Sequence, residues 1–292
     1  MNDVTLIRVF VRDAANPRSG NPVPLVADAR GMSDAAMQAV AAQYGHESAF
    51  VLPSETGGTS GTSGSNWRLR FFVPQHEMEM CGHATVGTLW ALRQWGQWTE
   101  PTARIETLSG VVLARWDDAA QRVWISQPEV QTEILSSSAS ARVTAQLGLP
   151  PNAYPTVNAS TSRVKTLVEL PSVETLDCLT PDFGTMESLC ASISSTGLYP
   201  YAFGGETSDG LQIVHARQFP KSSGYPEDAA TGIAAAALWG YLARGNGDAT
   251  SIAVWQGDTM GSPSEILVAP RHSEQGEPAG CWLSGNVAWS HQ

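Results

Sequence analysis

The sequence predicts an α+β fold built from two similar halves, on three observations. The run Ile233 to Ala243 holds no charged residue and is apolar all the way round, so as a helix it has to be buried on every side. An earlier stretch, Thr88-Leu89-Trp90-Ala91-Leu92, reads the same way. Both are entered through polar, Gly-containing segments, Cys81-Gly82-His83-Ala84-Thr85-Val86-Gly87 and Glu227-Asp228-Ala229-Ala230-Thr231-Gly232. Phe72-Val73-Pro74 and Phe219-Pro220 precede them at similar distances, which suggests an internal duplication. The remainder reads as many short strands around one buried helix per half. Strand–helix alternation with a G-x-G-x-x-G turn is absent, so a Rossmann fold is not predicted.

Taken in order, Thr5 to Val11 alternates as a strand, Asn16 to Pro22 is a turn cluster, and Pro24-Leu25-Val26 begins a second strand. Ser33-Asp34 starts a helix with Met37, Val40 and Ala41 on its apolar face, ended by Gly45. Glu47 opens a strand running to Pro53. Thr56 to Asn66, rich in Gly, Ser and Thr, is the expected hairpin loop, or a lid, joining it to an antiparallel partner at Trp67 to Phe72. Strands follow at Ala103–Thr107, Gly110–Arg115 and Arg122–Ser126. A helix is expected near Ser136 to Leu147, with Ser137 to Ser140 as exposed linker, and the boundary between halves falls here: 1–130 and 131–279. Further strands are expected at Lys165–Leu170, Leu198–Phe203, Leu211–Arg217, Ser251–Trp255, Ser264–Ala269 and Cys281–Gly285, with a helix from Phe183 to Ile193.

At 292 residues the chain is comfortable for two units, and 42% hydrophobic against 15% charged residues supplies a core. A net charge of -11 without any basic block excludes a general nucleic-acid or anionic-membrane surface. The apolar run is too short to span a bilayer, which takes roughly 20 residues. The four cysteines have no C-x-x-C spacing and the six histidines are scattered, so no metal site is expected. The start, Met1-Asn2-Asp3-Val4, lacks a signal-peptide pattern, and a reduced cytoplasm is expected.

The two helix entries are where chemistry is expected. A first turn leaves N–H groups unpaired, able to hold an anion while a nearby carboxylate handles a proton. Each candidate also has a plainer reading: Glu47 as a solvated strand-edge residue, His83 as a residue bonded to backbone, and Asp228 as a helix N-cap.

The motifs Ser19-Gly20-Asn21-Pro22, Glu47-Ser48-Ala49-Phe50-Val51, Cys81 to Gly87, Glu227 to Gly232 and Gln256-Gly257…Met260-Gly261 run in order across nearly the whole chain. Together they resemble the phenazine-biosynthesis PhzF-like family within the diaminopimelate-epimerase fold. The resemblance implies two pseudo-symmetric halves, each a curved, mostly antiparallel, barrel-like sheet wrapped around a central helix. The final strand, about 280–292, would return to the first half. It further implies a homodimer without metal or organic cofactor, acting as an isomerase on a small anionic substrate. Glu47 would be the proton-transferring carboxylate, and His83, Asp228, Gly82, Thr231 and Gly232 would bind substrate. Three positions depart from the family pattern: Ala229 where Pro is common, Ile233 where a carboxylate-binding Ser is common, and Ser262 where Arg is common. Related racemases use a thiol from each half; Cys81 lies near the first position, but Ala229 and Ala230 occupy the second entry. A racemase or epimerase and a non-catalytic binding protein are the alternatives.

Overall fold

The computed structural model describes residues 3–55, 66–246 and 250–290. In chain order, the first half contains β1 (Val4–Val9), β2 (Asn21–Val26), α1 (Asp34–Tyr44), β3 (Ser48–Pro53), β4 (Trp67–Phe72), β5 (Glu77–Met78), α2 (Gly82–Gln94), β6 (Thr102–Thr107), β7 (Gly110–Asp117) and β8 (Arg122–Gln127). There follow β9 (Gln131–Ile134), α3 (Ser137–Gln146), β10 (Thr156–Ser160), β11 (Lys165–Glu169), α4 (Val173–Asp177), α5 (Met186–Ser192), β12 (Gly197–Glu206), β13 (Gln212–Ala216), β14 (Phe219–Pro220) and α6 (Gly232–Asn246). The chain closes with β15 (Ile252–Gln256), β16 (Ser264–His272), β17 (Pro278–Ser284) and β18 (Val287–Trp289).

One pairing pattern is used twice. From β1 to β8 the ladders β1/β2, β3/β4, β6/β7 and β7/β8 are antiparallel, while β2/β3 and β4/β6 are parallel. From β10 to β17 the same alternation recurs, with β11/β12 and β13/β15 parallel and the rest antiparallel. In both sets a parallel step is bridged by a helix, as parallel neighbours require. The sets join where β17 pairs with β8, placing Leu283 opposite Ile125. They also exchange strands: β9 pairs with β10, and β18 returns to β1. The α+β architecture of mostly antiparallel sheet around buried helices is the one the sequence predicts.

The capping residues act where their chemistry dictates. The Ser33 side chain accepts from the N–H of Ala36 at the start of α1, and Gly45 ends that helix at a φ of 70°. In α2 every residue from Gly82 to Leu89 is buried, and Ile233 to Trp239 of α6 are likewise buried. One continuous core holds both helices and the inner faces of both strand sets. A second cluster seats α3, α4 and α5 outside the second set, and a third seats α1 outside the first.

Several local expectations need correction. Ser137 to Ser140 are not linker: Ser136 caps α3, and Ser140, buried, bonds Thr156 across to β10. The helix expected from Phe183 starts only at Met186, because the Asp182 carboxylate accepts from Gly184 N–H and the Thr185 hydroxyl and holds those residues in a turn. β2 begins at Asn21, inside the stretch read as a turn. Of the expected hairpin loop or lid, residues 56–65 lie outside the described residues.

The starts of α2 and α6 abut. A Cβ added at Gly82 would stand 3.5 Å from the Gly232 Cα and the Ile233 N, and 3.0 Å from Leu283 Cδ2. A Cβ at Gly232 would stand 2.7 Å from the same Leu283 methyl. Only residues without side chains let the two helix entries and β17 meet here. Gly232→Ala should therefore cost about 1–3 kcal/mol by overpacking. Combining it with Leu283→Val should recover part of that loss in a double-mutant cycle of denaturant midpoints. Strict additivity would show that the two positions do not press on one another.

Candidate active site

Glu47 is the last residue before β3 and is only 6% exposed. It lines a cleft together with Cys81, Gly82 and His83 from the α2 entry and Asp228, Thr231, Gly232 and Ile233 from the α6 entry. The structure thus brings all six sequence-predicted site residues to one place. The second set of strands contributes Arg163, Lys165 and Gln218 to the same cleft. An adjoining cleft, lined by Arg8, Arg18, Asn21, His46 and Ser262, shares Glu47, Tyr225 and Asp228 with the first.

Each helix entry presents N–H groups. Among the described residues no acceptor takes the N–H of Gly82, His83, Gly232 or Ile233, whereas Thr85 donates to Cys81 O and Ala234 and Ala235 to Thr231 O. Two helix N-termini, each with partial positive charge, therefore open on the same space.

Asp228 is fixed from every side. Its Oδ1 accepts from Asn21 Nδ2 at 2.8 Å, its Oδ2 from the Thr231 hydroxyl, and its backbone O from Gln256 Nε2 at 2.7 Å. Gln256, 1% exposed, also accepts from the Tyr199 hydroxyl at 3.0 Å and the Thr231 N–H at 3.3 Å. One residue upstream, Glu227 makes a two-pronged pair with Arg217, at 2.9 and 2.8 Å. Arg217 also donates to the carbonyls of Leu176, Asp177 and Leu179, which ties this loop to α4. Among the described residues no α6 N–H donates to its carboxylate, which is held instead by the Asn21 and Thr231 side chains.

Burial sets the protonation states. It raises Glu47 above the usual carboxylate value, against the hydrogen bond donated by the Tyr225 hydroxyl, which favours the ionised form. Burial, then the nearby Glu47, pushes Asp228 up to about 6. His83 is pushed down to about 4 by burial, so its imidazole is neutral at pH 7. The Cys81 thiol, with its Sγ 3.4 Å from His83 Nδ1, is driven well above its ordinary value by burial and by Glu47. It is therefore a poor base at neutral pH, and it is the one thiol lining this cleft. Among the described residues no group of His, Cys, Asp and Glu is arranged to hold a metal, and no helix is long and apolar enough to cross a membrane.

Sequence reasoning missed Tyr225, Lys165 and Gln218. Lys165 carried a faint signal, a cation at the head of the strand Lys-Thr-Leu-Val-Glu; Tyr225 and Gln218 carried none. Asn21 and Gln256 lay inside quoted motifs without assigned roles. The unfolded chain holds Asp228 near its ordinary 3.8. Between about pH 4 and 6 the unfolded state therefore gives up this proton while the folded state keeps it, so stability from this group falls across that window and is flat above it. Relative to wild type, Asp228→Asn should gain roughly 2–5 °C in melting midpoint on going from pH 4 to pH 7. An offset independent of pH would contradict the raised carboxyl.

The profile of the family described as "Phenazine biosynthesis-like protein" matches residues 9–290. An uncharacterized isomerase of Deinococcus radiodurans is 31% identical over 265 residues, 86% of this chain and 82% of that protein. The trans-2,3-dihydro-3-hydroxyanthranilate isomerase of Pseudomonas fluorescens is 28% identical over 294 residues, 98% of this chain and 96% of that protein. A crystal structure of a Bacillus anthracis phenazine biosynthesis protein of the PhzF family superposes with a TM-score of 0.83 at 25% identity, covering 99% of this chain and 96% of that one. The chain belongs to the phenazine biosynthesis-like (PhzF) family and is an enzyme of the isomerase class.

Proposed function

We propose that this enzyme moves a proton on a small anionic substrate, cyclic or amino-acid-derived, with Glu47 as the general acid/base. The observation that carries the reading is the setting of Glu47: buried in the cleft onto which both helix entries open, and held by one hydroxyl. A carboxylate with a raised pKa exchanges protons near neutral pH, so one group can take a proton from carbon and return it elsewhere.

In this mechanism the substrate's acid group lies against the N–H groups of Gly82, His83, Gly232 and Ile233, which are fixed dipoles and need no reorganisation. Neutral His83 donates or accepts a hydrogen bond without adding charge. Asp228, oriented by Asn21, Thr231 and Gln256, fixes the substrate's polar edge. The Tyr225 hydroxyl keeps the Glu47 carboxylate in one rotamer and tempers its basicity. Two-thiol chemistry is disfavoured, because Cys81 is held protonated and Ala229 and Ala230 stand at the opposite entry.

The direct test follows deuterium uptake in D2O by NMR with small anionic compounds, trans-2,3-dihydro-3-hydroxyanthranilate among them. Glu47→Gln should slow uptake by about 100-fold or more; equal uptake by both proteins would remove Glu47 from the reaction. Tyr225→Phe removes a hydrogen bond that favours the ionised carboxylate. The acidic limb of the exchange rate should consequently move to higher pH, and an unmoved limb would separate Tyr225 from the ionisation of Glu47.

A further inference from the structure

Two polar side chains in the cleft have no assigned role. Lys165 opens β11, is 4% exposed, and its ammonium makes no hydrogen bond or ion pair among the described residues. Gln218, 1% exposed, has both Nε2 and Oε1 without a partner. The ladder brings them together. β11 pairs with β12 at Thr166 and Leu198, and β12 pairs with β14 at Leu198 and Phe219. Between them, at the start of β12, Gly197 has no side chain, and the Gln218 amide fills the space: a Cβ there would stand 2.3 Å from Nε2.

Keeping an unpaired cation and a buried unsatisfied amide side by side is costly. Natural interiors seldom carry such groups without a use. Elsewhere in this protein buried polar groups are mostly met: Asn158 donates to Ile193 O and accepts from Thr166, and Arg217 is fully engaged. Thr88 Oγ1, Arg122 Nε and Arg271 Nε are also unmet, but among the described residues Gln218 alone leaves both a donor and an acceptor unmet, and it stands in the cleft wall beside Asp228. Arg163, two residues before Lys165, adds a second cation to that wall.

We infer that Lys165 and Gln218, with Arg163 beside them, form a binding wall for a carboxylate that bears a neighbouring N–H or O–H group. The ammonium pairs with one edge of the same carboxylate whose other edge meets the helix N–H groups, Gln218 Nε2 donates to its second oxygen, and Gln218 Oε1 accepts from the adjacent donor. The wall also decides orientation. A carboxylate held on the second set of strands places the carbon next to it toward Glu47, on the opposite side of the cleft. Burial, then Arg163, brings Lys165 down to about 7, which a bound carboxylate would reverse. The inference rests on the cleft being the substrate site but not on Glu47 being its base.

Calorimetric titration with benzoate, anthranilate and benzamide tests it. Wild type should bind benzoate at least tenfold more tightly than its uncharged counterpart benzamide, and anthranilate more tightly still. Lys165→Met should abolish the benzoate–benzamide difference, and Gln218→Met should abolish the anthranilate–benzoate difference. Both variants should melt at or above the wild-type temperature, since one removes an unpaired cation from the cleft wall and the other a buried unsatisfied amide. A wild type that does not distinguish the three probes would overturn the wall. So would a Lys165→Met variant that keeps the discrimination, or one that melts below wild type, which would mark the lysine as structural. Glu47→Gln should retain benzoate binding. If exchange proves independent of Glu47 while the lysine effects hold, the acid/base reading fails alone; the reverse outcome sinks the wall alone.

Discussion

The close approach of two helix starts at Gly82 and Gly232 is the constraint on which the rest of the structure depends. Helices whose dipoles point at one another repel, and their unpaired N–H groups must be met by something. Here the repulsion is offset by apolar burial behind the entries, where α2 and α6 share a single core. Leu283 of β17 wedges against both glycines, and β17 is the strand that joins the two sets. The strand exchange of β9 and β18 then ties each set to the other, so the helix starts have no room to separate.

From this geometry the electrostatics of the cleft follow. A cavity between two positive helix ends attracts carboxylates, and the fold supplies Glu47 from the first set and Asp228 from the second. Burial penalises their charge more than the surroundings stabilise it, so both are raised, and His83 and Lys165 are lowered for the same reason. The two carboxylates and Lys165 are thereby brought closer to neutral pH, the condition for passing protons back and forth, while His83 is moved away from it and stays uncharged. The site is held at the expense of stability, as functional sites commonly are.

Much of this was legible in the sequence. The charge-free run after Gly232 can only be a buried helix, and the polar entries mark the ends of both central helices at which chemistry is possible. Glu47 and Asp228 follow from motif resemblance rather than from periodicity. What stayed hidden was hidden for physical reasons. β10 reads Thr-Val-Asn-Ala-Ser, too polar for a buried strand, because Asn158 is satisfied by side-chain and backbone partners distant in sequence. The first turn of α3 looks like linker because serines there are used as a cap and as a bond to β10. Tyr225 reaches Glu47 across 178 residues of chain, and Gln218 matters through the bonds it does not make. Neither leaves a local pattern.

The fold holds two carboxylates from opposite strand sets in one buried space that raises both of them. Carbon-13 NMR titration of the Glu47 and Asp228 side-chain carboxyls measures this directly. Both should titrate above their ordinary values of 4.5 and 3.8, with Asp228 near 6 and each curve shifted by the charge of the other. Independent titration of either group at or below its ordinary value would mean that the cleft is solvated and that burial is not what prepares it.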